Sequence, residues 1–163
     1  MKTTVPPENS AILPPLALAL VNQPRATLQE LATAIGISKA TLYRFCPTRD
    51  LLVKRLLDQS LRTLDDALEE ALIDEGPVLE ALKRLNAKHL EHREFTLFLT
   101  YYWNEVDKPV EETAAWEPKV DAFFLRGQQE GVFRIDFSAA TLTELWLGTL
   151  IALIDGERRG RIP

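Results

Sequence analysis

The side chains best suited to bind another molecule lie within one short stretch near the N-terminus. Lys39, Arg44 and Arg49 supply positive charge, and Ser38 and Thr41 supply hydroxyl groups. A guanidinium can donate two hydrogen bonds to O6 and N7 of guanine, and ammonium and hydroxyl groups can hold a phosphate. If these residues share one face of a helix, that face is suited to nucleic acid.

Two short helices joined by a turn would position these side chains. Thr27 begins a T-x-x-E capping box, in which two side chains satisfy backbone N–H groups at a helix start. Gly36 allows the left-handed conformation that ends this helix, and Ser38 caps the next one, from which Leu42 and Phe45 would point inward. The pattern predicts a helix-turn-helix, whose second helix enters the major groove of DNA.

The segment Gly36–Leu52 resembles the signature of TetR-type (tetracycline-repressor-like) transcriptional regulators. It reads G-I-S-K-A-T-L-Y-R-F-C-P-T-R-D-L-L, where the family usually has G-V-S-x-x-T-L-Y-x-Y-F-P-S-K-E-x-L. Generic helix-turn-helix segments do not usually have T-L-Y followed by a proline and an S/T-K/R cap. The resemblance implies an all-α fold, with a three-helix head joined by a long helix to a ligand-binding and dimerisation body.

The resemblance also implies which side chains contact DNA: Thr27, Ser38, Lys39, Thr41, Tyr43, Arg44 and Arg49. Thr27 would meet a phosphate at its helix start, Arg44 a base edge, and Arg49 a phosphate. Two departures from the family predict weaker binding. The basic N-terminal arm is reduced to Lys2, and Phe45 replaces a tyrosine whose hydroxyl could contact a phosphate.

The uneven distribution of charge permits DNA binding despite an acidic chain. The formal net charge is −5, but residues 1–50 carry five basic and three acidic side chains, a net +2. The remaining residues carry 14 basic and 21 acidic side chains, a net −7. A local basic patch is what phosphate contact needs. An alternative stays open, namely a helix-turn-helix adaptor that binds protein and lacks specific DNA binding.

The rest of the chain shows helical periodicity and no sustained strand-like alternation. The apolar segment 11–21 fits a short first helix, because prolines interrupt it and it is too short to span a bilayer. We expect a helix-turn-helix DNA-binding domain over residues 1–50 and a ligand-binding and dimerisation domain over 51–163. Further helices are predicted over residues 48–74, 78–92, 95–103, 114–130 and 138–158, with a loop at 107–112 and an extended connector at 132–137.

Aromatic and histidine side chains are frequent in the segments that would form the ligand site. In the TetR family the central helices of the body bind a small ligand, so a hydrophobic or aromatic effector is expected. Aromatic residues at helical spacing are equally compatible with an ordinary core, and both interpretations stay open. The candidate ligand-binding residues are His89, His92, Tyr101, Tyr102, Trp103, Trp116, Phe123 and Phe124.

The last predicted helix is apolar on a broad face, and Gly148 would allow another helix to approach it closely. A homodimer would place two recognition helices on the half-sites of an inverted repeat in a double-stranded DNA operator. Relatives usually continue into one more helix after residue 163. Either the protein dimerises with a reduced bundle or the sequence lacks its natural end. The predicted helix over residues 114–130 is a second candidate for the interface. On the last helix the candidate interface residues are Leu142, Trp146, Leu150, Ile151 and Ile154.

Other function classes have little support in the sequence. There is no phosphate loop or nucleophile elbow, so an enzyme is not expected. His89 and His92 lack a third ligand of suitable spacing, and we predict no metal site and no cofactor. Cys46 is a lone cysteine expected to be a small buried residue, as suits a cytoplasmic protein. The family resemblance alone favours repression over activation.

Overall fold

A computed structural model describes residues 11–103 and 116–163, and within those ranges it contains helices and no strands. The predicted all-α class is therefore confirmed. The predicted loop at residues 107–112 lies outside the described ranges. The helices are α1 Leu13–Asn22, α2 Leu28–Ala34, α3 Lys39–Phe45, α4 Arg49–Glu70, α5 Val78–Glu91, α6 Arg93–Tyr102, α7 Glu117–Gln129 and α8 Ala139–Arg158.

The described residues fall into two compact units. The head unit comprises residues 11–60 and 94–103, and the body unit comprises residues 61–93 and 116–163. Helix α6 follows α5 in sequence, yet its residues from 94 onward belong with the head unit. The predicted division into residues 1–50 and 51–163 is a division by function, and it stays a prediction.

The core of the head unit is built from leucines spaced three or four residues apart on short helices. A proline lies in the first turn of α1, as predicted, where its missing N–H leaves no hydrogen bond unmade. Leu16, Leu20, Leu31 and Leu42 are completely buried, and α6 contributes the completely buried Phe98. Burial of each such side chain contributes about 1.5–3 kcal/mol to stability.

The core of the body unit joins the end of α4 to α5 and α7. Its buried residues are Leu68, Ala71, Ile73, Val78, Ala81, Leu85, Val120, Phe123 and Phe124. Gly127 lies so close to the Phe133 ring that an added Cβ would meet it at 2.2 Å. The residues 131–137 form a bent connector between α7 and α8, where an extended one was predicted.

Two arginines hold the turn between α4 and α5. Arg84 donates hydrogen bonds to the carbonyl oxygens of Ala71 and Leu72, at 2.9 and 2.8 Å. Arg126 donates to the carbonyl of Ile73 at 2.7 Å. These cations donate to carbonyl groups of the turn that follows α4, where no regular helix supplies donors. The turn is therefore fixed even though Leu72 has a left-handed φ of 48°.

Helix α8 differs from the other described helices in its composition. It is the one described helix whose length and mean hydropathy of 1.3 match those of a membrane span, a test that core helices of soluble proteins also pass. Only 22% of its apolar window is buried within the chain. Much of its apolar surface is therefore left exposed.

Candidate nucleic-acid interface

The predicted capping box at the start of α2 is present. The Thr27 N–H donates to Glu30 Oε2 at 2.7 Å, and the Glu30 N–H donates to Thr27 Oγ1 at 3.3 Å. The Thr27 hydroxyl also donates to the Glu30 carboxylate, at 2.8 Å. These hydrogen bonds hold the pKa of Glu30 below its usual value. Thr27 is predicted to meet a phosphate, but in this structure its N–H and its hydroxyl both donate to the Glu30 carboxylate.

The turn between α2 and α3 has the predicted glycine conformation. Gly36 has a φ of +74°, which favours glycine, and the Ile37 N–H closes the turn on the Ala32 carbonyl at 3.0 Å. Ser38 Oγ then accepts the Thr41 N–H at 3.0 Å, and the two hydroxyls lie 2.8 Å apart. The start of α3 is therefore fixed by its own side chains.

Helix α3 presents polar side chains on one side and buries apolar ones on the other. Leu42 and Phe45 are buried, as predicted. Lys39, Tyr43 and Arg44 are exposed, and the Lys39 ammonium lies 5.4 Å from the centre of the Tyr43 ring. Within the described part of the chain the Arg44 guanidinium has no hydrogen-bond partner, so it is available to a ligand. This face can contact phosphates and base edges.

The C-terminal end of α3 is held by a residue that the sequence did not single out. Arg55 on α4 donates to the Phe45 carbonyl at 2.5 Å, and its guanidinium lies 5.0 Å from the centre of the Phe45 ring. Cys46, which caps the helix, is buried as expected, and burial raises the pKa of its thiol. The recognition helix is thus anchored at both ends.

Arg49 contacts the backbone of the head. Its Nη2 donates to the Pro24 carbonyl at 2.6 Å and lies 3.5 Å from the hydroxyl of Tyr102. That hydroxyl in turn donates to the Leu20 carbonyl at 3.4 Å. The contact between Arg49 and a phosphate stays a prediction. The contact with Tyr102 joins residues 53 positions apart, and no local sequence pattern indicates it.

The candidate ligand-binding residues are divided between the two units. Tyr102 is buried in the head unit, stacked on Phe98 with ring centres 4.5 Å apart. Tyr101 and Trp103, also in the head unit, are exposed. A ligand site formed by these residues stays a prediction.

In the body unit, candidate residues lie in and around the core. Phe123 and Phe124 belong to the buried cluster, and Trp116 packs against it. His89 is buried, its Nδ1 lies 3.1 Å from the Leu85 carbonyl, and burial lowers its pKa. His92 caps the end of α5.

The candidate interface residues on α8 lie mainly on its inner side. Leu150 and Ile154 are buried, while Leu142 and Trp146 pack against the core cluster of the body unit. Ile151 is half-buried. The exposed apolar face of α8 consists of other residues, namely Leu145, Gly148, Ala152 and Leu153. Sequence periodicity could not separate the two sides, because the apolar residues of α8 cover more than one contact face.

The fold and the exposed face of α3 define a helix-turn-helix DNA-binding protein with a helical body. No protein-family model matches the chain. It is 49% identical over 150 residues to the HTH-type transcriptional regulator NfxB of Pseudomonas aeruginosa, covering 90% of this chain and 80% of that protein. It is 29% identical over 119 residues to the HTH-type transcriptional repressor LfrR of Mycolicibacterium smegmatis, covering 73% of this chain and 58% of LfrR.

A solved structure of a transcriptional regulator has a fold similar to that of this chain. The TetR family transcriptional regulator PfmR of Thermus thermophilus has a similar fold, with a TM-score of 0.66 at 24% identity over 93% of this chain and 86% of PfmR. The chain belongs to the TetR-type family of helix-turn-helix transcriptional regulators. It is a DNA-binding transcriptional regulator and not an enzyme.

Proposed function

We propose that this regulator is a cytoplasmic dimeric repressor that binds an inverted-repeat operator and is released by a small hydrophobic or aromatic ligand. The observation that carries the proposal is the exposed face of α3. Lys39, Tyr43 and Arg44 lie on this face, and the helix is fixed at both ends. Arg44 is the proposed base contact. Thr27, Ser38, Lys39 and Thr41 would contact phosphates or nearby base edges.

Dimerisation would use the exposed apolar face of α8. Leu145 and Leu153 are 51% and 52% exposed, and an added Cβ on Gly148 would meet no atom within 4 Å. Glu144 is exposed on the same helix, which suits a protein partner better than lipid. A second copy of this helix would bury the leucines and allow close backbone approach at the glycine. The two recognition helices must then reach half-sites about 34–36 Å apart.

The effector proposal rests on the family and on the aromatic residues of the body. The relative LfrR has been solved in complex with proflavine, a structure with a TM-score of 0.51 to this chain at 21% identity. We infer a ligand of similar hydrophobic or aromatic character for this protein. Such a ligand would release DNA only if it binds the DNA-free arrangement more tightly than the DNA-bound one.

Selection of genomic fragments by the purified protein at physiological salt, followed by sequencing, tests the proposal. Recovery of one inverted repeat, lost in Arg44→Ala, is the expected result. Arg134→Ala removes the same charge from an exposed loop of the body and is the matched control. No enriched fragment from a folded, dimeric protein would overturn the proposal. It would favour the adaptor. Charge reversal at Arg44 and Arg49 distinguishes the two functions, because it should abolish DNA binding only if the protein is the regulator.

A further inference from the structure

Arg49, Tyr102 and two backbone carbonyls form a connected set of hydrogen bonds inside the head unit. We propose that Arg49 and Tyr102 are positioning residues, which hold the turn between α1 and α2 in the geometry that DNA binding needs. The inference rests on the DNA-binding function proposed above. It gives Tyr102, one of the candidate ligand-binding residues, a structural role within the DNA-binding head.

The hydrogen bonds form a chain across three helices. The Tyr102 hydroxyl, at the end of α6, donates to the Leu20 carbonyl on α1 and can accept from Arg49, at the start of α4. A phenol has one donor and can accept as well, so both contacts use its normal capacity. The Arg49 guanidinium connects Tyr102 to the turn between α1 and α2, because it also donates a 2.6 Å hydrogen bond to the Pro24 carbonyl. Hydrogen bonds from a charged donor are the stronger kind.

Pro24, whose carbonyl accepts from Arg49, lies in the short turn that leads from α1 into α2. Pro24 follows the end of α1 and precedes Thr27, which caps α2. The turn's other described hydrogen bonds include Gln23 N–H to the Ala19 carbonyl at 2.9 Å and Ala26 N–H to the Gln23 carbonyl at 3.0 Å. Arg49 adds a contact from outside the turn and so fixes its direction. A shift there would move the start of α2.

The Tyr102 side chain is rigidly held, so its hydroxyl is a fixed point. Tyr102 is 5% exposed, and its ring stacks on completely buried Phe98 with an interplanar angle of 15°. The Arg49 Nε is buried and has no hydrogen-bond partner in the described ranges. The orientation of the guanidinium therefore depends on Pro24 and Tyr102. Loss of the hydroxyl would leave Arg49 with one anchor.

This positioning role and a direct phosphate contact predict different responses to salt. A side chain that neutralises a phosphate contributes about 0.9 to the slope of log affinity against log salt for duplex DNA. Replacement of Tyr102 by phenylalanine removes no charge, so affinity should fall while the slope stays the same. Replacement of Arg49 by methionine should also leave the slope nearly unchanged if its charge is used inside the head.

The experiment combines Tyr102→Phe, Arg49→Met and the double variant with Thr100→Val as control. Thr100 lies on the same helix, and its hydroxyl donates to Thr96 of that helix, outside the network. Affinity for the selected operator is measured between about 50 and 200 mM salt, a range in which phosphate contacts change it strongly. We expect Tyr102→Phe to weaken binding about 3- to 10-fold, the usual size for one hydrogen bond, with no change from Thr100→Val.

The double variant distinguishes a shared network from two separate roles. Residues in one hydrogen-bond network give non-additive effects, so the double variant should bind no worse than the weaker single variant. Additive losses, or a slope that falls by about 0.9 or more in Arg49→Met, would overturn the inference in favour of a direct phosphate contact. Unfolding midpoints of all variants confirm that the compared proteins are folded.

Amide hydrogen exchange of the DNA-free protein separates this inference from the proposed function. Tyr102→Phe should speed exchange at the Ala26 N–H, whose bond lies in the turn, relative to wild type and Thr100→Val. If exchange is faster in Tyr102→Phe but the fragment selection recovers no operator, the positioning role is supported and the proposed repressor is not. Unchanged exchange in Tyr102→Phe and Arg49→Met would overturn the inference whatever the DNA measurements give.

Discussion

Two helices of this chain, α3 and α8, begin with the same kind of cap but expose chemically different surfaces. At the start of α3, Ser38 Oγ accepts the Thr41 N–H at 3.0 Å, with the hydroxyls 2.8 Å apart. At the start of α8, Ser138 Oγ accepts the Thr141 N–H at 3.1 Å, again with the hydroxyls 2.8 Å apart. The S-x-x-T cap thus sets where a helix begins and carries no information about its partner.

The exposed residues after each cap supply that information. Helix α3 has seven residues and exposes a lysine, a tyrosine and an arginine. Helix α8 has 20 residues and exposes leucines and small residues over its middle. One surface suits phosphates and base edges, and the other suits an apolar helix. The comparison can be tested by changing each surface and each cap separately.

The largest effect is expected from a charge on the exposed face of α8. Leu145→Glu would place an unpaired carboxylate in the proposed dimer interface, where its burial opposes association. We expect the dimer to dissociate at micromolar concentration and operator affinity to fall by about 100-fold or more, because each monomer reaches only one half-site. Sedimentation velocity and operator titration measure the two effects.

Leu79→Glu is the matched control for this change, because Leu79 on α5 is 54% exposed. It should leave both the oligomeric state and DNA binding unchanged. If Leu145→Glu remained dimeric, the exposed face of α8 would not be the interface, and the contrast between the two helices would lose its functional meaning.

The next effect concerns the specificity of α3. Arg44→Lys keeps the charge but loses the planar guanidinium that can bond two acceptors of guanine. Operator affinity should fall about 10- to 100-fold, while affinity for unrelated DNA and the salt dependence remain close to wild type. Titrations against operators with one base pair changed at each position measure this. Equal losses on operator and unrelated DNA would show that Arg44 contacts only phosphate.

The two caps provide a direct test of the comparison. Ser38→Ala and Ser138→Ala each remove an equivalent cap and should each lower the free energy of unfolding by about 0.5–2 kcal/mol. Only Ser38→Ala should also weaken operator binding, because its helix carries the DNA contacts. Urea unfolding and operator titration on both variants check this. A similar loss of DNA affinity in both would mean that the effect comes from reduced stability.

Local chemistry made much of the head predictable from sequence. Thr27, Gly36 and Ser38 act on residues three or four positions away, so their types and spacing were enough to predict two helices and a turn. The bond between Arg49 and Tyr102 joins residues 53 positions apart and depends on how α6 packs in the head unit. No periodic pattern encodes such a contact, so the sequence alone does not predict it.

The two sides of α8 show a second limit of prediction from sequence. Leu150 and Ile154 are buried, whereas Leu145 and Leu153 are about half exposed. All four are large aliphatic residues, and an apolar stripe wider than one contact face does not reveal which part packs internally. Helix existence was predictable there because it follows from composition and capping. The choice of inner face follows from neighbours on α5 and α7.

A smaller effect is expected at the third capped start, that of α2. Glu30 places a carboxylate on Thr27, where a DNA phosphate is proposed to bind. Glu30→Gln keeps a side chain able to complete the capping box and removes a charge that repels phosphate. Operator affinity should rise about threefold with a slightly steeper salt dependence. Unchanged affinity at all salt concentrations would mean that Thr27 lies away from the phosphates.

The smallest effect lies on the inner side of α8, where Trp146 meets His89. Their rings form an edge contact with centres 5.1 Å apart, and the Trp146 N–H donates to Asn86 at 2.8 Å. Burial lowers the pKa of His89, the hydrogen bond to the Leu85 carbonyl opposes this shift, and the charge of His92 adds least to it. The folded protein therefore keeps this imidazole neutral at a pH where the unfolded chain binds a proton.

The direction of the pH dependence follows from that difference. The contribution of His89 to stability is complete above the unfolded-state pKa of about 6.5 and is lost as pH falls from there towards the lower folded-state pKa. The slope cannot exceed about 1.4 kcal/mol per pH unit for one group. Urea unfolding between about pH 7.5 and 5.5 should show this decline in wild type and His92→Gln, and a smaller one in His89→Gln. An equal decline in all three proteins would mean that acid acts elsewhere. A decline specific to His89 would show that the two sides of α8 differ in kind, with a pH-sensitive inner contact and an outer apolar face that does not titrate.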